Sequence, residues 1–381
     1  MTLNLQHEFP LHDDLVYLNH AAIGVWPRST AEAVQQFAEE NMQQGATHYP
    51  RWMQVEQELR QQLKMLIHAS SVDDIALLKN TSEALSIIAY GLEWQEGDNL
   101  VIGNQEFPSN RIVWESLKAQ GVEVRIADLN HSQPEEAMLA LCDAKTRLLS
   151  VSSVQYGTGL RMDLKKLGEA CHSHQIFFCV DAIQSLGALC MDVQEIDADA
   201  VVADAHKWLC GPEGLALFYI APQWRERLKL QQFGWHMVEH IGDFDRLDWE
   251  PAHSARRFEA GSPNMLGIHA LNASLKLLNR VGIDTIERLV LERSAALMDM
   301  VLEDQRLELI SPSQLHRTSG IVTFRVKQLD HTAHLQLYQQ LMHTKVICAY
   351  RAGGIRFSPH FYTPYHCFDQ AWARMMACLP T

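Results

Sequence analysis

Several features are scarce or missing in this chain of 381 residues. No apolar run approaches the ~20 residues that a bilayer-spanning helix needs, so nothing reads as membrane-spanning. Basic residues are outnumbered, with 32 Lys and Arg against 46 Asp and Glu and a formal net charge of −14. That balance, with a pI near 5.7, argues against nucleic acid or another polyanion as a partner. No basic run suggests a membrane surface. Eight cysteines occur but no Cys-x-x-Cys. They are scattered, mostly in apolar segments, and read as reduced core thiols of a cytoplasmic protein. The opening stretch MTLNLQHEFPLHDD lacks the basic start and apolar core of a secretory signal. His172 and His174 form the one close histidine pair in the middle of the chain. Without cysteines or clustered carboxylates nearby they read as a surface loop, and no metal site is expected. There is no internal repeat, low-complexity tract or flexible linker.

What is present is enough apolar material for a large core: 47% hydrophobic and 8% aromatic residues. The length fits two packed domains. Short continuous apolar runs alternate with helical periodicity. Leu15–Leu18 reads as a strand leading into the small polar turn Asn19-His20-Ala-Ala-Ile-Gly24. Helices are expected at Ser29–Gln44 and Arg51–His68. Further strands are expected at Ile75–Leu78, Asn99–Gly103, Val122–Ile126, Arg147–Ser153, Ile176–Val180, Ala200–Ala203 and Leu215–Ile220. Such a pattern indicates an α/β fold with a mostly parallel sheet covered on both faces. From about Leu230 to Ser262 the periodicity breaks down, and so long an irregular piece is usually functional or at an interface. A mixed α+β tail follows. The expected division is a large domain over residues 15–262 and a small α+β domain built from 1–14 and 263–381.

In sheets of this kind, ligands sit beyond the carboxyl ends of the strands. Polar motifs fall at those ends. Lys79-Asn80-Thr81-Ser82-Glu83 opens a helix, and its hydroxyls and free amides suit an anion such as phosphate, although the same pattern is an ordinary N-cap. Asp181 ends one buried strand, and His206-Lys207 follows another. A His-Lys pair at a strand end is commonly a solvated turn, and Asp after a strand is commonly a cap. Taken together in this order, a buried carboxylate and a lysine held between apolar strands suit a pyridoxal phosphate enzyme. The lysine forms the Schiff base and the carboxylate keeps the pyridine nitrogen protonated.

The stretches VDAIQSLG at 180–187, DAHKWLCGPEG at 204–214, RFEAGSPN at 257–264 and IRFSPHFYT at 355–363 resemble the class V aminotransferase family of fold-type I pyridoxal phosphate enzymes. That family includes cysteine desulfurases, selenocysteine lyases, kynureninases and isopenicillin N epimerases. The resemblance covers nearly the whole chain. It implies a seven-stranded mixed, mostly parallel sheet and catalytic roles for Lys207, Asp181 and His206. It implies cofactor contacts from Thr81, Ser82, Phe107, Gln155 and Gln184, with Phe107 stacked on the ring. Ser262 would reach the phosphate of the neighbouring subunit in a homodimer with shared sites. Arg356 would hold the substrate carboxylate, a task suited to a planar guanidinium. Asn19, His20 and Trp235 lie where they would line the substrate pocket. His236, Tyr350, Arg351 and His360 are either substrate contacts or packing and dimer contacts.

Two departures from the family pattern stand out. Asp204 replaces a phosphate-binding serine of the desulfurases, and a carboxylate repels phosphate. The segment Lys345–Arg356 leaves almost no room for the loop cysteine of desulfurases; Cys348 reads as core, and Cys367 lies beyond the arginine. The resemblance therefore implies action on an amino acid through a lysine Schiff base and a quinonoid intermediate, with C–S β-elimination as the leading reaction. A class V transaminase or an epimerase like isopenicillin N epimerase is the alternative. A non-catalytic binding protein that kept the fold is a third reading.

Overall fold

The computed structural model describes residues 4–379. Residues 1–3 and 380–381, assigned above to the small domain, lie outside that range. The main sheet contains β2 (Ile75–Leu78), β3 (Asn99–Gly103), β4 (Glu123–Ala127), β5 (Thr146–Ser152), β6 (Phe177–Asp181), β7 (Ala200–Asp204) and β8 (Ala216–Ile220), after the short β1 (Val16–Tyr17). Its order is β2-β8-β7-β6-β5-β3-β4. The pairs from β7 through β4 are parallel. Only β8 runs against both of its neighbours, β2 and β7. The short connection from β7 to β8 is a return rather than a helical crossover, which forces the reversal.

Strand alternation divides the apolar side chains between two layers. Ala76, Leu100, Phe177, Val202 and Phe218 face one core. Leu77, Val101, Phe178, Val201 and Leu217 face the other. Both faces are buried, so the strands read as continuous apolar runs rather than alternating ones.

A second sheet joins β9 (Leu307–Leu309), β10 (Val322–Val326), β12 (Ala349–Arg351) and β13 (Gly354–Phe357) in the order β12-β13-β10-β9, all antiparallel. Strand β11 (Val346–Ile347) pairs instead with β1.

The packing redraws the expected division at residues 15 and 262. Val16 and Leu18 belong to the core of the C-terminal unit. The helix Met265–Val281 packs against the helices Arg28–Gln44 and Tyr49–Leu66 of the large unit. The helix Ile283–Glu303 joins the two cores, giving Ile286 and Val290 to the large one and Leu297, Met298 and Val301 to the small one. Helical periodicity locates such helices but does not say which core their apolar stripe meets.

The parallel strands β5, β6 and β7 end side by side: Ser152 pairs with Asp181, and Asp181 with Val202. The end of β2 and the start of β8 lie at the same edge, with Leu78 opposite Ala216. Chain segments leaving this edge build the site. Among the described residues, no helix is long and apolar enough to cross a membrane.

Candidate active site

A cavity of about 220 Å³ opens at this edge. Its lining includes Thr81, Ser82, Phe107, Asp181, Gln184, His206, Lys207 and Arg356. Eight of the residues singled out from sequence thus converge from five separate segments.

Lys207 lies on the turn after β7. The turn is closed by hydrogen bonds from Cys210 N to Lys207 O at 3.0 Å and from Gly211 N to Ala205 O at 2.9 Å. The early turn Asn19–Gly24 lies on top of it, and Gly24 N donates to His206 O at 2.6 Å. A Cβ at position 24 would stand 1.9 Å from Lys207 O, so only glycine allows this approach. The lysine side chain is 8% exposed, and its Nζ sits 5.6 Å from the centre of the Phe107 ring. Burial disfavours the ammonium and brings Lys207 down to about 8, against the pull of Asp181.

Asp181 ends β6. One of its oxygens accepts from Ile183 N at 3.0 Å. Burial pushes its carboxyl up to about 7. Gln184, one turn on, donates from Nε2 to Ala21 O at 2.9 Å and accepts from Trp208 Nε1 at 3.0 Å. That leaves one amide hydrogen for a ligand.

Arg356, on β13, is 1% exposed. It donates to Tyr156 O at 2.7 Å, and its Nε has no partner. Burial, with repulsion from Arg351, brings it down to about 9. A buried guanidinium without a carboxylate is an anion receptor.

These groups fit pyridoxal phosphate. A desolvated amine, an isolated buried carboxylate and an orphaned guanidinium face one small cavity, with an aromatic ring beside the amine. Each meets a different part of the cofactor or of an amino acid joined to it. At the helix Thr81–Gly91, Ser82 is available, with its hydroxyl on Ser109 Oγ at 2.9 Å. Thr81 is already engaged: its amide and its hydroxyl both donate to Asp204, the latter at 3.0 Å. Asp204 also lies 3.4 Å from His206 Nδ1.

Other expected site residues are not brought to the cavity wall. Gln155 is buried behind it, donating from Nε2 to Glu106 at 3.0 Å. His20 is a satisfied core histidine: its Nδ1 donates to Ser358 O at 2.9 Å, and its Nε2 accepts from Tyr362 at 2.6 Å. Burial holds it neutral, down to about 4. Asn19 precedes the lining residues Ala21 and Ala22 without lining the cavity itself. Trp235 is 40% exposed on the irregular segment and lines a different groove. Ser262 is exposed and lies on another surface depression, with Lys79 and Glu83. His360 is buried, with Nε2 donating to Trp208 O at 2.9 Å.

Arg351, expected as a substrate or packing contact, and Asp204 also line the cavity, and so do Ser109 and Tyr156, which were not among the expected site residues. Glu106 lies beneath it, accepting from Ser152 N at 2.9 Å and Asn110 Nδ2 at 2.8 Å; burial raises its carboxyl. Sequence offered only one signal for Glu106, a charge placed at a strand end beside Phe107.

The chain matches the family model described as Aminotransferase class-V over residues 16–355. It is 31% identical over 340 residues to a probable cysteine desulfurase of Methanothermobacter thermautotrophicus, covering 86% of this chain and 82% of that one. Among solved structures it is similar to a C-DES variant with glycine covalently linked to its pyridoxal phosphate, with a TM-score of 0.90 and 22% identity over 98% of this chain and 99% of the other. The complex of the cystine C–S lyase C-DES with its product cysteine persulfide gives a TM-score of 0.88 at 23% identity, covering 96% and 98%. At that identity the structural likeness concerns the fold.

Proposed function

The chain belongs to the class V aminotransferase family and is a pyridoxal phosphate-dependent enzyme; from that premise we propose that it is a C–S lyase, eliminating the β-sulfur of a small amino acid without passing it to a cysteine of its own. The observation that carries this reading is the hairpin between β12 and β13. Arg351 pairs with Gly354, so the connection is only Ala352-Gly353, both at positive φ. A two-residue turn of this kind is tight and rigid. It has no room for a mobile loop bearing a thiol. Cys348, the nearest cysteine in sequence, is buried, and burial pushes its thiol up to about 12. No cysteine lines the cavity among the described residues.

When bound, pyridoxal phosphate supplies an aldehyde that condenses with amines and a ring that accepts electron density from Cα. Lys207 would anchor it, Asp181 would hold a proton at the ring nitrogen, Phe107 would stack on the ring, and Gln184 and Ser82 would donate to its oxygens. Arg356 would bind and orient the substrate carboxylate. Lys207 Nζ, close to half neutral at mild alkaline pH, would remove the Cα proton as general base. Lys207 and Asp181 are both buried at the cavity wall, which disfavours their charged forms.

Homodimerisation is part of the same reading. The irregular segment exposes Phe233, Trp235, Phe244, Leu247 and Trp249, an apolar patch that a second copy would cover. It precedes the exposed Ser262, which would then serve the partner's site. Sedimentation of the purified protein should give a dimer; a monomer would remove the shared-site assignment of Ser262.

The activity test is to incubate the holoenzyme with cysteine and with cystine. Pyruvate and ammonia, with released sulfide or persulfide, are expected. Alanine in place of pyruvate would indicate sulfur transfer instead. A keto acid that keeps the substrate's full side chain, formed once per site, would indicate a transaminase. Neither pyruvate nor alanine from any sulfur amino acid would overturn the lyase reading.

A further inference from the structure

The carboxylate of Asp204 stands at the helix start to which the cofactor's phosphate is assigned. The leading amides of the helix Thr81–Gly91 are nearly all taken. Thr81 donates to Asp204, Glu83 N to Asn80 Oδ1 at 2.9 Å, and Ala84 N to Asn80 O at 3.2 Å. A helix N-terminus favours one anion, and here the protein already supplies it. A phosphate dianion arriving at the same turn meets the Asp204 carboxylate, whose protonation burial already favours.

The ionisable groups facing Asp204 are few. On its own turn are His206, 3.4 Å away, and Lys207. On the adjacent strand β6 is Asp181, another carboxylate. The helix presents Thr81, which is uncharged, and the paired position on β8 is Ala216. His206, which also feels the charge of Glu213, is the contacting neighbour able to take a proton and offset the added charge; Lys207 can take one too, as can Asp204 itself.

We propose that phosphate binding at this helix is proton-linked: the Asp204–His206 pair takes up a proton as the phosphate arrives, so the cofactor is held less tightly as pH rises and stays exchangeable. Asp204 is a positioning residue here, acting on cofactor retention through charge. The inference rests on the placement of the phosphate at this helix and not on which amino acid the enzyme cleaves.

The test titrates apo-protein with pyridoxamine 5′-phosphate, which cannot condense with Lys207. The pH range is about 6.5 to 8.5, where the phosphate is a dianion. Wild type is compared with Asp204→Asn, which keeps an oxygen to accept from Thr81 but removes the charge. Uptake of one proton lowers the wild-type association constant by about tenfold per pH unit. The variant should show a shallower slope and bind about tenfold more tightly at the alkaline end. Lys207 and Asp181 titrate in both proteins and each feels the charge of Asp204, so the phosphate-specific part of the slope is taken as the difference between pyridoxamine 5′-phosphate and pyridoxamine over the same pH range. Pyridoxamine, without the phosphate, should bind both proteins alike. Should Asp204→Asn fold poorly, as judged by apo-protein melting, Asp204→Ala carries the slope comparison, since it removes the charge without adding a phosphate donor. Equal slopes and affinities, or weaker binding by the uncharged variants, overturn the inference alone. Failure of every protein to bind pyridoxamine 5′-phosphate overturns the phosphate placement and the inference with it.

Discussion

Arg60 and Arg356 are both buried, at 6% and 1% exposure, yet their surroundings are opposite. Arg60, on the helix Tyr49–Leu66, donates to both oxygens of Glu259, at 2.6 and 2.7 Å, to Glu56, and to Ile75 O at 2.8 Å. Burial alone would lower its pKa, but Glu259 and Glu56 outweigh burial and raise it. Arg356 has one backbone carbonyl, an unpartnered Nε and a value brought down to about 9. The first is a guanidinium paired by two carboxylates in a cluster that ties the irregular segment to β2, because Glu259 also accepts from Leu77 N at 2.8 Å, although Glu56 Oε2 and the nearby His236 nitrogens have no partner. The second is an unfinished one. A buried charge that the fold leaves unpaired is held for a ligand, at a cost to the fold itself. The same contrast separates His20, with both nitrogens satisfied, from Lys207, whose amine faces the cavity.

The sharpest break in this comparison is removal of the amine. Lys207→Ala should lower turnover by about 10³-fold or more, since it takes away the anchor and the general base together. It should also remove the visible band near ~420 nm that borohydride discharges in the wild type. Retention of that band would show that another group anchors the cofactor.

Next come the two arginines themselves. Arg60→Met leaves two buried carboxylates uncompensated and should cost about 3–5 kcal/mol in denaturant unfolding of the apo-protein. Arg356→Met removes an unpaired buried cation, so apo-protein stability should hold or rise. Its KM should increase by about 10- to 100-fold for loss of a charge-assisted contact to the substrate carboxylate. If both variants lose stability alike, Arg356 is structural and the contrast fails.

A smaller effect is the pH profile of cofactor capture. Lys207 is lowered to about 8, and only the neutral amine attacks an aldehyde. The first-order capture rate at saturating pyridoxal phosphate should therefore climb as pH rises through about 8 and level off above it. A rate already flat at pH ~7 would mean that Asp181 and Asp204 do not hold the proton on Lys207 as strongly as their positions suggest.

The smallest effect belongs to Cys348→Ala. Its thiol is buried in the core of the C-terminal unit and takes no part in the lyase chemistry proposed above, so turnover with saturating cysteine should change less than about twofold. A loss beyond tenfold, with sulfur release abolished, would point back to a persulfide on this chain.

Two of the residues singled out from sequence, Asp181 and Lys207, share one property: each sits at the end of a strand whose own pattern was unambiguous. Asp181 follows Phe177–Val180, and Lys207 follows Ala200–Ala203. In a parallel sheet, strand ends converge whatever the crossovers between them. Arg356 was legible for another reason, the motif around it, because β13 belongs to the second sheet. Where no such rule applied, sequence position misled. His20 lies in a polar turn that does approach the cavity, but its ring points into a core completed by Ser358 and Tyr362, more than 330 residues away in the chain. Gln155 falls at the right strand end, yet Glu106 draws its amide behind the wall.

By itself, then, the sequence determined the strand and helix content, the two-faced burial of the main sheet, and the pairing of a buried carboxylate with a buried amine at one edge. Those follow from local periodicity and from the fixed geometry of parallel strands. The tertiary structure alone decided the reversed direction of β8, the crossing of β1 into the C-terminal unit and the occupation of a helix start by Asp204. It also decided which buried charges were partnered and which were left open. The physical reason is that hydrogen-bond satisfaction in a core depends on atoms brought together from distant segments, and residue type and spacing do not encode whether a given polar atom will find its partner.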